Sequence, residues 1–130
     1  MAVIEKSSIE IALLKLRRAL SEQSVDVKLI FLLSGIEVLY DSKADRMRIP
    51  DIIRTYNVKL SEKTEKIIGQ SYWRRNQILH GKLSDLNHVT YLVPKLQQIL
   101  QTLIIHQLHW GSSLEFSDIK LGIDQEALVL

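Results

Sequence analysis

The sequence contains no cysteine, which excludes disulfides, thiolate zinc sites and a cysteine nucleophile. It also lacks a long apolar run. The longest, from Leu29 to Tyr40, has about twelve residues and includes Glu37, whereas a membrane-spanning helix needs about twenty. The first residues, Met1 to Lys6, lack the basic segment and apolar run of a secretory signal. The sequence therefore predicts a cytoplasmic protein without a membrane span.

A strong net charge is missing as well. Seventeen basic and 15 acidic residues give a formal charge of +2 over 130 residues. Any attraction for phosphate must therefore come from a local cluster, such as Arg74, Arg75 and Lys82. The hydrophobic fraction of 46% is ordinary for a globular protein, and the length fits a single domain spanning residues 1–130.

Apolar spacing predicts the first two helices. Four apolar residues step by four, three and four along the chain: Ile9, Leu13, Leu16 and Leu20. This stripe predicts an amphipathic helix from about Val3 to Ser21. The segment from Val25 to Asp41 is apolar on nearly every side, which predicts a helix surrounded by other elements. Gly35 within it predicts the close approach of a neighbour.

A connector and a third long helix follow. The regular pattern breaks between residues 42 and 60, where Pro50 fits the first turn of a short helix. Ser61 predicts the N-cap of a helix that runs to about His80. Gly81 is the residue expected at a left-handed C-terminal cap.

A fourth long helix is predicted from about Thr90 to His109, where Pro94 is tolerable only near the start. Its apolar stripe is Leu92, Leu96, Ile99 and Leu103. The sequence thus predicts an all-α, four-helix up-and-down bundle with a short extra helix between the second and third helices. Residues 111–130 end in an apolar segment that docks on the bundle, pairs with a second chain, or marks a cut in a longer protein.

One segment carries residues suited to chemistry. Residues 72 to 82 read Tyr-Trp-Arg-Arg-Asn-Gln-Ile-Leu-His-Gly-Lys, in which Arg75, Asn76 and His80 form an Arg-Asn-x-x-x-His pattern before a glycine. Arginine is always charged, and histidine titrates near neutral pH. Together with an amide, these groups suit a site that acts on a phosphodiester.

The helical geometry separates the two key side chains. At about 100° per residue, Arg75 lies on the apolar stripe of its helix, whereas Asn76 and His80 share another face with Tyr72 and Trp73. Arg75 and His80 thus leave a regular helix about 140° apart. They can meet one phosphate if the arginine swings out, if the helix end distorts, or if two chains each contribute half a site.

An arginine on an apolar stripe requires a counter-charge, because burying a lone charge costs several kcal/mol. Glu37 is the only charged residue between Leu29 and Tyr40. We therefore predict that Glu37 pairs with Arg75 and orients it. The pair could equally be structural, with no part in catalysis.

The pattern of Arg75, Asn76 and His80, followed by glycine at a helix end, resembles the RNA-cutting motif of HEPN domains (higher eukaryotes and prokaryotes nucleotide-binding). With Ile36-Glu37-Val38-Leu39-Tyr40 on an earlier apolar helix, it most resembles the Apea-like branch. The resemblance implies a metal-independent endoribonuclease without a cofactor that leaves 2′,3′-cyclic phosphate and 5′-hydroxyl ends. It also implies a homodimer with a composite active site and a role in phage defence or in a toxin–antitoxin pair, with an antitoxin protein as partner.

Residues around the motif have candidate roles of their own. Tyr72 and Trp73 could stack on RNA bases or belong to the core, and Arg74 and Lys82 could bind phosphate. The charged run from Lys43 to Arg48 could meet RNA or form a solvated loop. The remaining histidines are His88, which stands alone, and His106 and His109. The last two have a spacing compatible with metal, but without cysteine or a suitably spaced carboxylate we expect no metal site.

A different function is compatible with the same residues. Some helical domains of this kind only bind RNA or nucleotides, or only mediate dimerisation, and a bundle fold alone does not distinguish them from an enzyme. In such a non-catalytic module, Glu37 and Arg75 would form a structural pair and His80 would be replaceable.

Overall fold

The computed structural model describes residues 6–40, 49–82 and 85–109, together with the short segment 114–115. Its elements, in chain order, are α1 (Lys6–Ser21), α2 (Val25–Leu39), α3 (Ile49–Arg54), β1 (Val58–Lys59), α4 (Glu62–Leu79), α5 (Leu86–Leu108) and β2 (Leu114–Glu115). The prediction of an all-α bundle of four long helices with a short extra helix is confirmed. The predictions for residues 1–5, for the 43–48 run and for most of the tail lie outside the described residues.

Helix α2 is the centre of the bundle. No residue from Val25 to Leu39 is exposed, and the helix packs against α1, α4 and α5. The close approach predicted at Gly35 is present: a Cβ there would lie 2.8 Å from Leu100 Cδ2 and 3.4 Å from Lys15 Cβ. Only a residue without a side chain lets α1 and α5 come this near to α2.

The contacts define how the helices run. Short links join α1 to α2 and α4 to α5, and helices joined in this way are antiparallel neighbours. Helices α2 and α5 run in the same direction, because Gly35 faces Leu100 while Gln107 Nε2 lies 3.5 Å from the Tyr40 hydroxyl. Together these directions give the up-and-down arrangement.

The face that α1 buries differs from the predicted stripe. The buried residues step by three, four and three: Ile9, Ala12, Leu16 and Ala19. Leu13 and Leu20 are 44% and 51% exposed, so these two residues of the predicted stripe lie outside the core. Because α1 carries leucines on several faces, spacing alone could not select the buried one. Ala12 and Ala19 determine which face is buried, since small side chains let α1 pack close to α2.

Helix α5 begins earlier than predicted. Asp85 caps it by accepting a hydrogen bond from the His88 backbone N–H at 3.2 Å, so the predicted start near Thr90 is wrong. Pro94 therefore lies inside the helix and leaves the carbonyl of Thr90 without its usual helical donor. The helix persists because Pro94 is exposed, while most of the opposite side of α5 is buried in the core.

The connector between α2 and α4 holds α3, with Pro50 in its first turn as predicted. Arg54 bonds Asp51 on α3 at 3.0 Å and forms an ion pair with Glu65 on α4. The sequence patterns did not predict the parallel pairing of β1 with β2, in which Val58 lies opposite Leu114. None of the described helices has both the length and the apolar character needed to cross a membrane.

Two glycines in helix interiors should respond oppositely to the same substitution. Gly35→Leu forces a side chain against Leu100 and should cost about 3 kcal/mol or more of unfolding free energy. Gly69→Leu is the matched control, because a Cβ at Gly69 would meet no atom of the described residues within 4 Å and leucine raises helix propensity by up to about 1 kcal/mol. Urea unfolding followed by circular dichroism measures both. Equal changes in the free energy of unfolding for the two variants would contradict the close packing around Gly35.

Candidate active site

The two capped ends of α4 fix the position of the Arg-Asn-x-x-x-His motif on this helix. Ser61 caps the N-terminus by accepting a hydrogen bond from the Thr64 N–H at 3.1 Å, as predicted. His80 is the C-cap residue, and its N–H donates to the carbonyl of Asn76 at 3.1 Å. Gly81 follows with φ of +71°, the left-handed conformation expected of it. The helix is thus regular up to the motif histidine.

Arg75 and Glu37 form the predicted ion pair across α4 and α2. Arg75 Nη1 lies 3.1 Å from Glu37 Oε1, and the two side chains are 23% and 34% exposed. The pair is therefore half-buried, and it fixes the direction of the guanidinium. Arg75 Nε is buried and has no hydrogen-bond partner among the described residues.

The side chain of Tyr72 packs beside this ion pair. The guanidinium carbon of Arg75 lies 4.6 Å from the centre of the Tyr72 ring, a cation–π distance. The Tyr72 hydroxyl is buried and makes no hydrogen bond of standard geometry within the described part of the chain. Burial, with a smaller contribution from the Glu37 carboxylate, raises the pKa of Tyr72 well above its ordinary value, although Arg75 opposes this. Tyr72 therefore stays protonated and is not a candidate base.

Trp73, Asn76, His80 and Lys82 are exposed, so RNA could reach them. Trp73 is 54% exposed, and the guanidinium of Arg74 lies 4.4 Å from its ring centre. Stacking of Trp73 on a base and binding of phosphate by Lys82 stay predictions.

Arg74 is held by a network that the sequence patterns did not reveal. Its Nε donates to His88 Nδ1 at 2.7 Å, its Nη1 donates to Gln77 Oε1 at 2.8 Å, and its Nη2 lies 3.9 Å from Asp85 Oδ2. The side chain is only 13% exposed. Arg74 thus joins α4 to the start of α5, and its predicted contact with RNA would compete with these bonds.

The structure places two further histidines, and the expectation for His88 needs correction. His88 does not stand alone, because it accepts from Arg74 and its Nε2 lies 3.4 Å from Gln70 Oε1. The ring is therefore neutral, with its proton on Nε2. Burial and the Arg74 charge lower the pKa of His88, while Asp85 opposes this. His106 is buried in the last turn of α5. No sequence spacing links residues 74 and 88, since their contact depends on how α4 meets α5.

Within one chain, Arg75 and His80 do not meet. The end of α4 is not distorted in the way that would bring them to a common point. The helix is regular through Leu79, so the two side chains leave it about 140° apart, and Arg75 is directed towards Glu37. Tyr72, Asn76 and His80 follow one another at steps of four residues and line one side of α4.

Among the described residues, no group of three or more His, Cys, Asp and Glu side chains is placed to hold a metal ion. No protein-family model, curated protein or solved structure matches this chain. The likeness to HEPN domains therefore depends on the motif in residues 72–82 and on the helical pattern.

Protonation of His88 should destabilise the protein. Its folded-state pKa is lowered, so below about pH 6.5 the unfolded chain takes up the proton more readily than the folded one. The stabilisation from neutral His88 is complete above this pH and is lost as the pH falls through the unfolded-state and then the folded-state pKa.

The control is His88→Gln, which keeps an acceptor for Arg74 but does not titrate. Urea unfolding between about pH 5 and pH 8 should show the native protein losing more stability than this variant on acidification. If the free energy of unfolding fell equally with pH in the two proteins, the destabilisation could not be assigned to protonation of His88.

Proposed function

We propose that this chain is a metal-independent endoribonuclease of the HEPN type, acting in the cytoplasm. The observation that carries the proposal is the half-buried ion pair between Glu37 on α2 and Arg75 on α4, together with an exposed histidine, His80, at the C-cap of α4. The pair orients a permanent cation, and the C-cap presents an acid–base group to solvent. These are the two components that RNA cleavage without a metal requires.

In the proposed reaction, a neutral imidazole of His80 takes the proton from a ribose 2′-hydroxyl. The 2′-oxygen attacks the adjacent phosphorus while the bond from phosphorus to the 5′-oxygen breaks. The imidazolium formed in this way gives the proton to the leaving 5′-oxygen, so the products are a 2′,3′-cyclic phosphate and a 5′-hydroxyl. Arg75 stabilises the charge that accumulates on the phosphate oxygens. Asn76, one turn before His80, holds the imidazole or contacts phosphate.

The geometry supports a site composed from two chains. The helix end is regular, and swinging Arg75 out would break its bond to Glu37, so two of the three ways to unite Arg75 with His80 are costly. The remaining way is for Arg75 of one copy and His80 of another to face the same phosphate across a two-fold axis. The two-fold axis gives such a dimer two sites, each with one Arg75 and one His80.

The biological setting of the proposal follows from the resemblance alone. Domains of this type act as toxins with a cognate antitoxin or as effectors of phage defence. An RNase of this kind requires an inhibitor, so the expected partners are RNA, a second copy of the chain and an antitoxin protein.

A non-catalytic module that binds RNA or nucleotides, or mediates dimerisation, is the second candidate function. One observation favours it: the two central arginines already have partners within the chain, Glu37 for Arg75 and His88 with Gln77 for Arg74. In that case both arginines stabilise the bundle, and His80 has no essential part.

RNA cleavage in the presence of EDTA tests the enzyme directly. We expect the native protein to cut single-stranded RNA and to leave cyclic phosphate ends, and His80→Ala and Arg75→Ala each to lose at least about a hundredfold in rate. His109→Ala is the control, because His109 is an exposed histidine at the far end of α5. Native-like activity of His80→Ala, or intact RNA with the folded native protein, would favour the binding module.

Mixing the two inactive variants tests the composite site. With Arg75→Ala and His80→Ala in equal amounts, random exchange makes about half of the dimers mixed, and each mixed dimer has one intact site of two. We therefore expect recovery of about a quarter of the native activity. If each chain used its own Arg75 and His80, the mixture would be no more active than either variant alone.

A further inference from the structure

A groove lies between α3 and α4, close to the motif. It encloses about 300 Å³ and is lined by Ile49, Pro50, Ile68, Gly69 and Tyr72. The described side chains of this lining are apolar apart from the hydroxyl of Tyr72, which is itself buried. This volume is at the lower end of the range for small-molecule sites, so the groove suits one flat ring system rather than a complete nucleotide.

Gly69 keeps this groove open. A glycine inside a helix lowers its stability, and at Gly35 the closeness of Leu100 explains it. At Gly69 no such reason exists among the described residues, because a Cβ there would meet nothing within 4 Å. The effect of Gly69 is to leave this part of the groove free of a long side chain, so that a group from outside the chain has room there.

The groove is continuous with the motif along α4. Gly69, Tyr72, Asn76 and His80 follow one another at steps of three and four residues, so they line one side of the helix. Eleven residues at 1.5 Å each separate Gly69 from His80 by about 16 Å. A nucleic-acid strand with a phosphate at His80 therefore reaches the groove within a few nucleotides.

We propose that the groove binds one unstacked base of a single-stranded RNA and thereby selects where the strand is cut. This inference rests on the proposed function, since it places the phosphate at His80. The Tyr72 ring supplies an aromatic wall for stacking, which is how single-stranded bases are commonly held. Arg75 lies over the same ring and provides a cation near the phosphates that flank such a base. An apolar peptide side chain would not need that cation.

The test uses 2′-O-methyl RNA, which cannot be cut because its 2′-oxygen is blocked. Fluorescence anisotropy at fixed salt measures the Kd of labelled single strands in which one base at a time is replaced by an abasic site. For the native protein and for Gly69→Ala, we expect one abasic position to weaken binding about tenfold. For Gly69→Leu, whose side chain fills the groove, we expect intact RNA to bind about tenfold more weakly and no abasic position to matter.

The outcomes separate this inference from the proposed function. If the native protein cuts ordinary RNA but has no sensitive position, or if Gly69→Leu keeps one, the groove proposal is overturned while the nuclease stands. If the sensitive position exists and disappears in Gly69→Leu while ordinary RNA stays intact, base binding in the groove holds, whereas the nuclease, and with it the selection of a cleavage point, does not. If Gly69→Leu only changes the mass measured by size-exclusion chromatography, the groove seats a second copy, and the proposal is wrong.

A measurement on the native protein makes the test independent of whether Gly69→Leu folds. Intact 2′-O-methyl RNA should shift the NMR signals of the Gly69 amide and the Tyr72 ring. The strand with the critical abasic site should leave both signals unchanged. Equal shifts with the two strands, or no shift with either, would overturn the proposal.

Discussion

The burial of α2, with one charged residue in its inner part, is the constraint on which the rest of the structure depends. Helix α2 has neighbours on all its sides, and Glu37 is the only charge between Leu29 and Tyr40. A carboxylate in that position needs a cation, because an unpaired charge in a partly buried place is costly. Arg75 provides it and thereby sets the rotation of α4 against α2.

This constraint divides the motif between two environments. Arg75 is turned towards the core and held by Glu37, whereas His80, five residues later, is at an exposed helix end. The arginine is thus rigid and the histidine accessible. A site that needs both at one phosphate is incomplete in a single chain, which connects the half-buried ion pair with the proposal of a dimeric enzyme. The groove at Gly69 lies on the accessible side and extends the same surface.

Much of the fold and part of the site could be predicted because their causes are local. Ser61, Gly81 and Pro50 act through the backbone of their own turn, and all three occupy the predicted positions. The pairing of Glu37 with Arg75 could be predicted because Glu37 is the only charged residue between Leu29 and Tyr40. Pro94 misled the prediction of α5, because packing of the opposite side outweighs the local cost of an interior proline.

The sequence by itself determined the number and order of the long helices, the caps of α4 at Ser61 and Gly81, and the identity of the ion pair. Only the tertiary structure decided which face of α1 is buried, that Arg74 bonds His88, and that Gly69 borders an open groove. The physical reason is the distance along the chain over which each interaction acts. Capping and helix periodicity act within one or two turns, whereas the choice among several apolar faces, and of a partner for a long polar side chain, depends on how whole helices pack.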